Sequence, residues 1–316
     1  MLTCAGFVIG TSGLAAAAFP GRNGEIAWGF YHGSPPCPFN EVCREAWEIK
    51  SQSLSKQKRH VLACNALGPA YSRNGRRLVF WEGLKGAFVG SADAFRTPTF
   101  VPNTERGDDV TWSPSGKRLA LEFLPTDNSE TTNIYSIRPD GTQLRQLTFD
   151  NRSFGPAWGP TGRIAFGSLS HPGIWVMNAD GSGRRRLTHA GHWKSDPQAT
   201  VEDQPQSWSP DGNWIAFVRM PTDYYTDLYV VRADGRHLKR IARGDGEAAW
   251  SPNGKWIAVA PRYGFTISLV RPDGSHRHPV ITEPQYGSRK CHNQALSGAD
   301  EGAGFGGLDW QPLPQR

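Results

Sequence analysis

Three catalytic signatures are missing from this chain: it has no G-x-S-x-G, no H-E-x-x-H and no phosphate-binding glycine loop. Their absence removes nucleophile-elbow hydrolases, zincins and P-loop enzymes from consideration. There is no run of long amphipathic helices. The uncharged apolar stretch at residues 1–18 is shorter than the ~20 residues that a membrane-spanning helix needs, so no membrane span is expected in the mature chain. Charge of one sign is not concentrated either. The formal charge of +6 comes from basic residues scattered through every segment, and the densest run, Arg184–Arg186, sits at a strand-like position. That distribution reads as a solvated exterior rather than a nucleic-acid-binding face. Cysteine is sparse, and no C-x2-C pair is present to argue for zinc.

What is abundant is glycine (36 residues) and proline (24 residues), punctuating short apolar segments. Such alternation points to an all-β protein. Residues 1–18, MLTCAGFVIGTSGLAAAA, resemble a signal peptide without its basic start, and Ala16-Ala17-Ala18 offers a cleavage site before Phe19. Export to the periplasm or outside the cell is expected, with residues 19–316 as one domain. Setting aside Cys4, the cysteines Cys37, Cys43, Cys64 and Cys291 make an even count, which suggests two disulfides with three connectivities open.

A repeat organises the chain. AYSRNGRRLVF (Ala70 to Phe80), TWSPSGKRLAL (Thr111 to Leu121), AWGPTGRIAF (Ala157 to Phe166), SWSPDGNWIAF (Ser207 to Phe217) and AWSPNGKWIAV (Ala249 to Val259) align on one aromatic, and LDWQP (Leu308 to Pro312) is a truncated copy. The anchors are mostly forty to fifty residues apart, a period that signals stacked or radial repeats. A second module alternates with the first: NIYSIRPDGTQLRQLT (Asn133 to Thr148), GIWVMNADGSGRRRLT (Gly173 to Thr188), DLYVVRADGRHLKRIA (Asp227 to Ala242) and ISLVRPDGSHRHPVIT (Ile267 to Thr282). Each is a strand, a D-G turn and a second strand. Four antiparallel strands A to D per unit make a β-propeller blade. Six B strands can be counted, the first of them in NGEIAWGF (Asn23 to Phe30), which has no A strand before it. Letting the spare C-terminal A strand complete that first blade predicts a single six-bladed propeller without open edges.

The alternation of WSPDGxxIAF with IYVMNADGxxxRRLT resembles the TolB-type propeller repeat of bacterial envelope proteins, over nearly all of residues 22–312. The resemblance implies a six-bladed propeller and an envelope setting. Two blades depart from it, because Arg44 to Cys64 and Ala87 to Val101 lack the D-G turn. The family's namesake also has an N-terminal α/β domain for which this chain has no room.

In a propeller the A–B and C–D hairpins share one face, here short and regular. The B–C and D–A connections share the other, here irregular, with insertions at Tyr31 to Glu45, Thr188 to Gln206 and Thr282 to Gly307. Long loops direct attention to the irregular face. In the second insertion His189, His192 and Asp196 offer ligands to a divalent cation, and Trp193 offers a stacking surface. Glu202 and Asp203 head toward the channel, and His292 lies on the neighbouring insertion. Asp108, Asp109 and Glu247 stand at matching positions and either line the channel mouth or cap turns. The bland reading of the 188–206 loop is an exposed polar segment over one tucked tryptophan. All four cysteines fall near the ring closure on this face, which favours Cys37–Cys43 with Cys64–Cys291.

Two functions follow, beside a purely structural envelope scaffold without one defined ligand, which sequence does not separate from the first. One is a non-catalytic, monomeric propeller that binds a protein or peptide partner of the envelope through the irregular face and needs no cofactor. The other is a carbohydrate-active enzyme, a metal-assisted lyase with a histidine cluster at the channel mouth. Asp211 of SPDG is no catalytic candidate, because Ser115, Thr161 and Asn253 replace it in sister copies.

Overall fold

The computed structural model describes residues 16–31, 47–82, 85–92, 98–124, 131–191, 201–222, 225–261, 264–283 and 304–314. These form six blades of four antiparallel strands arranged as a ring, one of them extended by a fifth, parallel strand, with no α-helix among the described residues. Blade 1 comprises β2 (Arg22–Tyr31), β3 (Trp47–Ser53) and β4 (Arg59–Cys64), with β25 (Gly304–Leu313) as its inner strand. Blade 2 runs from β5 (Leu67–Tyr71) through β6 (Arg77–Glu82) and β7 (Gly86–Ser91) to β8 (Thr99–Phe100). Blade 3 holds β9 (Gly107–Trp112), β10 (Leu119–Phe123), β11 (Asn133–Ile137) and β12 (Arg145–Gln146). Blade 4 holds β13 (Ser153–Trp158), β14 (Ile164–Ser168), β15 (Gly173–Met177) and β16 (Arg185–Arg186). Blade 5 is built from β17 (Glu202–Trp208), β18 (Trp214–Thr222), β19 (Tyr225–Arg232) and β20 (Lys239–Arg243). Blade 6 ends the series with β21 (Asp245–Trp250), β22 (Ile257–Pro261), β23 (Thr266–Val270) and β24 (His278–Thr282). The C-terminal strand closes the first blade as the repeat count requires, pairing Ile26 with Trp310 and Trp28 with Leu308.

The repeated residues explain the geometry. In the A–B turn the serine hydroxyl takes the backbone N–H five residues on, as in Arg118 to Ser113 (3.0 Å) and Trp214 to Ser209 (2.9 Å). The turn glycine supplies a positive φ, +71° at Gly212. Asp211 accepts from the Asn213 amide at 3.0 Å, so it is a turn residue. The anchor tryptophan is buried between blades. Trp208 packs with Ala157, Ala165 and Ile174 of blade 4 and with Ile215 and Phe217 of its own blade. Burying an aromatic of this size is worth about 3 kcal/mol per blade.

The C–D turns tie neighbours together. A basic side chain on one outer strand donates to carbonyls in the next blade's D-G turn: Arg145 to Asp180 (3.1 Å), Arg185 to Asp234 (2.9 Å), Lys239 to Asp273 (2.8 Å). The turn glycine lies flat on the preceding blade, where a Cβ at Gly181 would stand 2.7 Å from the Leu147 carbonyl oxygen. Part of the scattered positive charge is therefore structural.

Blade 1 lacks a D-G turn, and its seam with blade 6 is held differently. Glu283, directly after β24 and fully buried, accepts from Trp28 Nε1 (2.8 Å) and Lys50 Nζ (2.7 Å), with Arg59 Nη1 at 3.5 Å. Lys50 also reaches Glu48 at 3.0 Å, with both side chains buried. A buried ionic cluster thus takes the place of the handshake.

One feature lies ahead of Phe19. Ala16 and Ala17, counted in sequence with the leader-like run, form β1 (Ala16–Ala17), which adds in parallel to the inner edge of β17. The next residues, Ala18 and Phe19, are buried in the interblade core.

Candidate functional site

Inner strands run from the irregular face to the regular one, so their first residues ring the channel mouth. On blades 3, 5 and 6 that ring is rich in carboxylates. Asp108 and Asp109 open β9, Glu202 and Asp203 open β17, and Asp245 and Glu247 open β21.

Two of these acids are neutralised within the wall. Asp203 is buried and receives Arg219 through Nε (2.6 Å) and Nη2 (2.7 Å), while the Thr188 hydroxyl donates to it at 2.6 Å. Thr188 ends the RRLT motif and also accepts the Ile174 amide, so the motif's threonine couples blade 4 to the inner strand of blade 5. Arg219 lies over the Tyr229 ring at 5.1 Å, which fixes its plane. Asp245 is held the same way by Arg277, at 2.7 and 2.8 Å. Burial still raises its pKa, with the Arg277 hydrogen bond and charge working against the rise.

The other acids sit closer together. Glu122 of β10 stands opposite Asp108 of β9 and accepts the Gly155 amide of blade 4 at 3.0 Å. Burial pushes its pKa up to about 8, reinforced by the charges of Asp108 and Glu202 and opposed by the Gly155 and Thr132 hydrogen bonds. The shift favours the protonated form of the acid. Asp109, buried beside it, has φ +49°, at a position where sister blades carry Gly68, Gly155 and Gly307, all with positive φ. Holding a non-glycine residue there costs on the order of 1 kcal/mol. The equivalent residue in blade 6 is Glu247, also buried, on the opposite side of the ring.

His189 is exposed at the start of the 188–206 insertion. Glu202 is half-buried and Asp203 is buried in the wall. His192, Trp193, Asp196 and His292 lie outside the described residues, as do Cys37, Cys43 and Cys291. Cys64 ends β4 opposite Glu48. His276 and His278 belong to the C–D hairpin of blade 6, on the regular face. Among the described residues, no group of three or more His, Cys, Asp or Glu is arranged to hold a metal ion.

Sequence reading missed Glu122 and the arginine partners Arg219 and Arg277. A signal for Glu122 was present: aligned B strands place Gly29, Trp81, Gly167, Val218 and Ala260 at its position. A carboxylate in that apolar column marks a polar opening.

With this geometry in view, solved structures can be compared. A TolB structure from Acinetobacter baumannii superposes with a TM-score of 0.66 at 16% identity, covering 92% of this chain and 67% of that one. The fold is a TolB-like propeller. A TolB structure from Agrobacterium tumefaciens gives a TM-score of 0.62 at 19% identity, covering 84% of this chain and 98% of that one. An oligogalacturonate lyase in complex with manganese gives 0.53 at 11% identity, covering 85% and 83%. At these identities the likeness concerns the fold alone. No family model and no curated protein matches this TolB-like chain in sequence. Among its described residues, no helix is long and apolar enough to cross a membrane.

Proposed function

We propose that this TolB-like propeller is an exported, monomeric, non-catalytic protein that binds a protein or peptide partner of the cell envelope through its irregular face. The observation that carries this reading is the contrast between the faces. On the regular face the A–B turns satisfy their own polar groups, and D-G turns of blades 4 to 6 receive cations from the preceding blade. On the irregular face the channel mouth gathers Asp108, Asp109, Glu122 and Glu202, whose crowding raises the pKa of Glu122. Such a mouth offers donors and acceptors to a polypeptide backbone and favours a cationic side chain. Trp193 on the adjoining insertion supplies an aromatic anchor in this reading. Two disulfides, Cys37–Cys43 and Cys64–Cys291, would brace the same face.

Capture from an envelope extract tests the proposal, comparing the wild type with a His192→Ala/Trp193→Ala variant and with Lys117→Glu on the regular face. A partner retained by the wild type and Lys117→Glu, and lost by the double variant, is expected. Equal capture by all three would remove the irregular face from consideration.

The lyase-like superposition supports a second reading, a metal-assisted enzyme on acidic oligosaccharide, with His189, His192, Asp196 and His292 as the ligand set. Metal analysis of untagged protein, with an assay for unsaturated product, decides it. Absence of both metal and product would sink it.

A further inference from the structure

We propose that the inner edge of β17 at Ser207–Trp208 is a strand-addition site for an extended peptide of small side chains, filled in this chain by its own Ala16–Ala17. The site lies at the regular-face end of the channel, away from the acidic mouth, and does not depend on the function proposed above.

Inner strands of a propeller present one backbone edge to the channel, and that edge must be satisfied. On blades 2 and 6 the preceding blade does this with a side chain. The Tyr71 amide donates to Asp309 of blade 1 at 2.6 Å. The Trp250 amide donates to the Ser207 hydroxyl of blade 5 at 2.8 Å, and the Ala248 amide to Gln206 at 3.2 Å. Tyr71, Trp250 and Trp208 occupy the same register, opposite Leu78, Ile257 and Ile215 of their B strands. For Trp208 the preceding blade offers Ala157, which has no acceptor on its side chain. At this position a backbone takes over: Ala16 pairs with Ser207 and Ala17 with Trp208, in parallel. Trp112 likewise follows an alanine, Ala70, and Phe19 of the same segment packs in the cluster that holds both.

The strand lies on the propeller axis, within reach of the inner strands of all six blades. An edge surrounded by six inner strands leaves room for small residues only, which sets the kind of peptide it would take. The exit is fixed as well. Gly21 donates to the Pro252 carbonyl at 3.1 Å, and a Cβ at Gly21 would meet the Leu313 oxygen at 2.5 Å. The segment therefore closes the channel at the regular face, and processing before Phe19 would vacate the β17 edge.

A chain starting at Phe19 and the full chain, each mixed with the peptide SGLAAAA, test the site by calorimetry and by hydrogen exchange on residues 202–208. The trimmed chain is expected to bind and to slow exchange on β17, and the full chain to do neither. A peptide with proline at the two pairing positions should fail. Should the trimmed chain not fold, a full-length Ala16→Pro/Ala17→Pro variant serves. Its β17 amides should exchange about ten-fold faster, as loss of one or two hydrogen bonds implies, with β5 and β21 unchanged. Unaltered β17 exchange, or equal acceleration on every inner strand, would overturn the proposal.

Discussion

Removing Glu283 tests the seam between blades 6 and 1. The carboxylate is inaccessible to solvent and receives Trp28 Nε1, Lys50 and Arg59. Glu283→Ala leaves the buried Lys50 ammonium with Glu48 as its anionic partner and strands the Trp28 indole N–H. Breaking a buried ion pair costs ~3–5 kcal/mol, and the remaining Glu48 contact places this case near the lower end, about 3 kcal/mol. At roughly 2 °C per kcal/mol for a chain of this size, Tm falls by about 6 °C. Glu283→Gln, which keeps an acceptor for Trp28, should lose about half as much. Lys50→Met removes the cation that Glu48 and Glu283 share, leaving Glu283 with Arg59 at 3.5 Å and the Trp28 N–H, and should cost at least as much as Glu283→Ala. Urea unfolding followed by tryptophan fluorescence reads all three, because the chain's 12 tryptophans report its global unfolding. A Glu283→Ala loss below about 1 kcal/mol, or strictly additive Lys50→Met and Glu283→Gln effects, would refute a cooperative buried network.

Other positions make separate predictions. Asp309 is buried, and desolvation pushes its pKa up to about 8 despite the Tyr71 and Trp310 amides. Between about pH 4 and 8 the unfolded chain carries this group ionised and the folded chain does not, so its contribution to stability falls as pH rises through that window and is level above it. Asp309→Asn should flatten that slope, measured as urea midpoints at pH 5 and 8; an unchanged slope refutes the assignment. Gly181 and Gly162 both have positive φ, yet a Cβ meets the Leu147 oxygen at 2.7 Å only at Gly181 and nothing within 4 Å at Gly162. Gly162→Ala should cost about 1 kcal/mol and Gly181→Ala clearly more, read by thermal melts. Arg219→Ala strips Asp203 of its guanidinium and should destabilise by about 3 kcal/mol, while Arg219→Lys restores only part because the bidentate fork is lost. Equal stability of the two variants would argue against the paired geometry.

Much of the architecture was legible because repetition averages out local ambiguity. Trp112, Trp158, Trp208 and Trp250 each follow a small residue and precede a glycine turn, and six such units admit few arrangements other than a ring. The closing role of Gly304–Leu313 followed from counting alone. The site was less legible because its defining residues break the repeat. Glu122 was passed over in a column of apolar residues, and Arg219 and Arg277 act on acids 16 and 32 positions away. Ala16–Ala17 were hidden for another reason. A short run of alanines carries the same composition in a leader as in a strand, and only the partner edge on β17 distinguishes the two.

The closing blade also sets an order of events in time. Its inner contact joins residues as far apart as Arg22 and Pro314, 292 positions along the chain. Blades 2 to 6 close on local hairpins, which form on the microsecond scale, but blade 1 must wait for the last strand to be synthesised and brought home. Until then β2 and the flank of blade 6 present apolar faces and unpaired edges. A nascent chain therefore stays open to threading, to chaperones and to misassociation until β25 arrives, and ring closure is the step at which it commits to its fold.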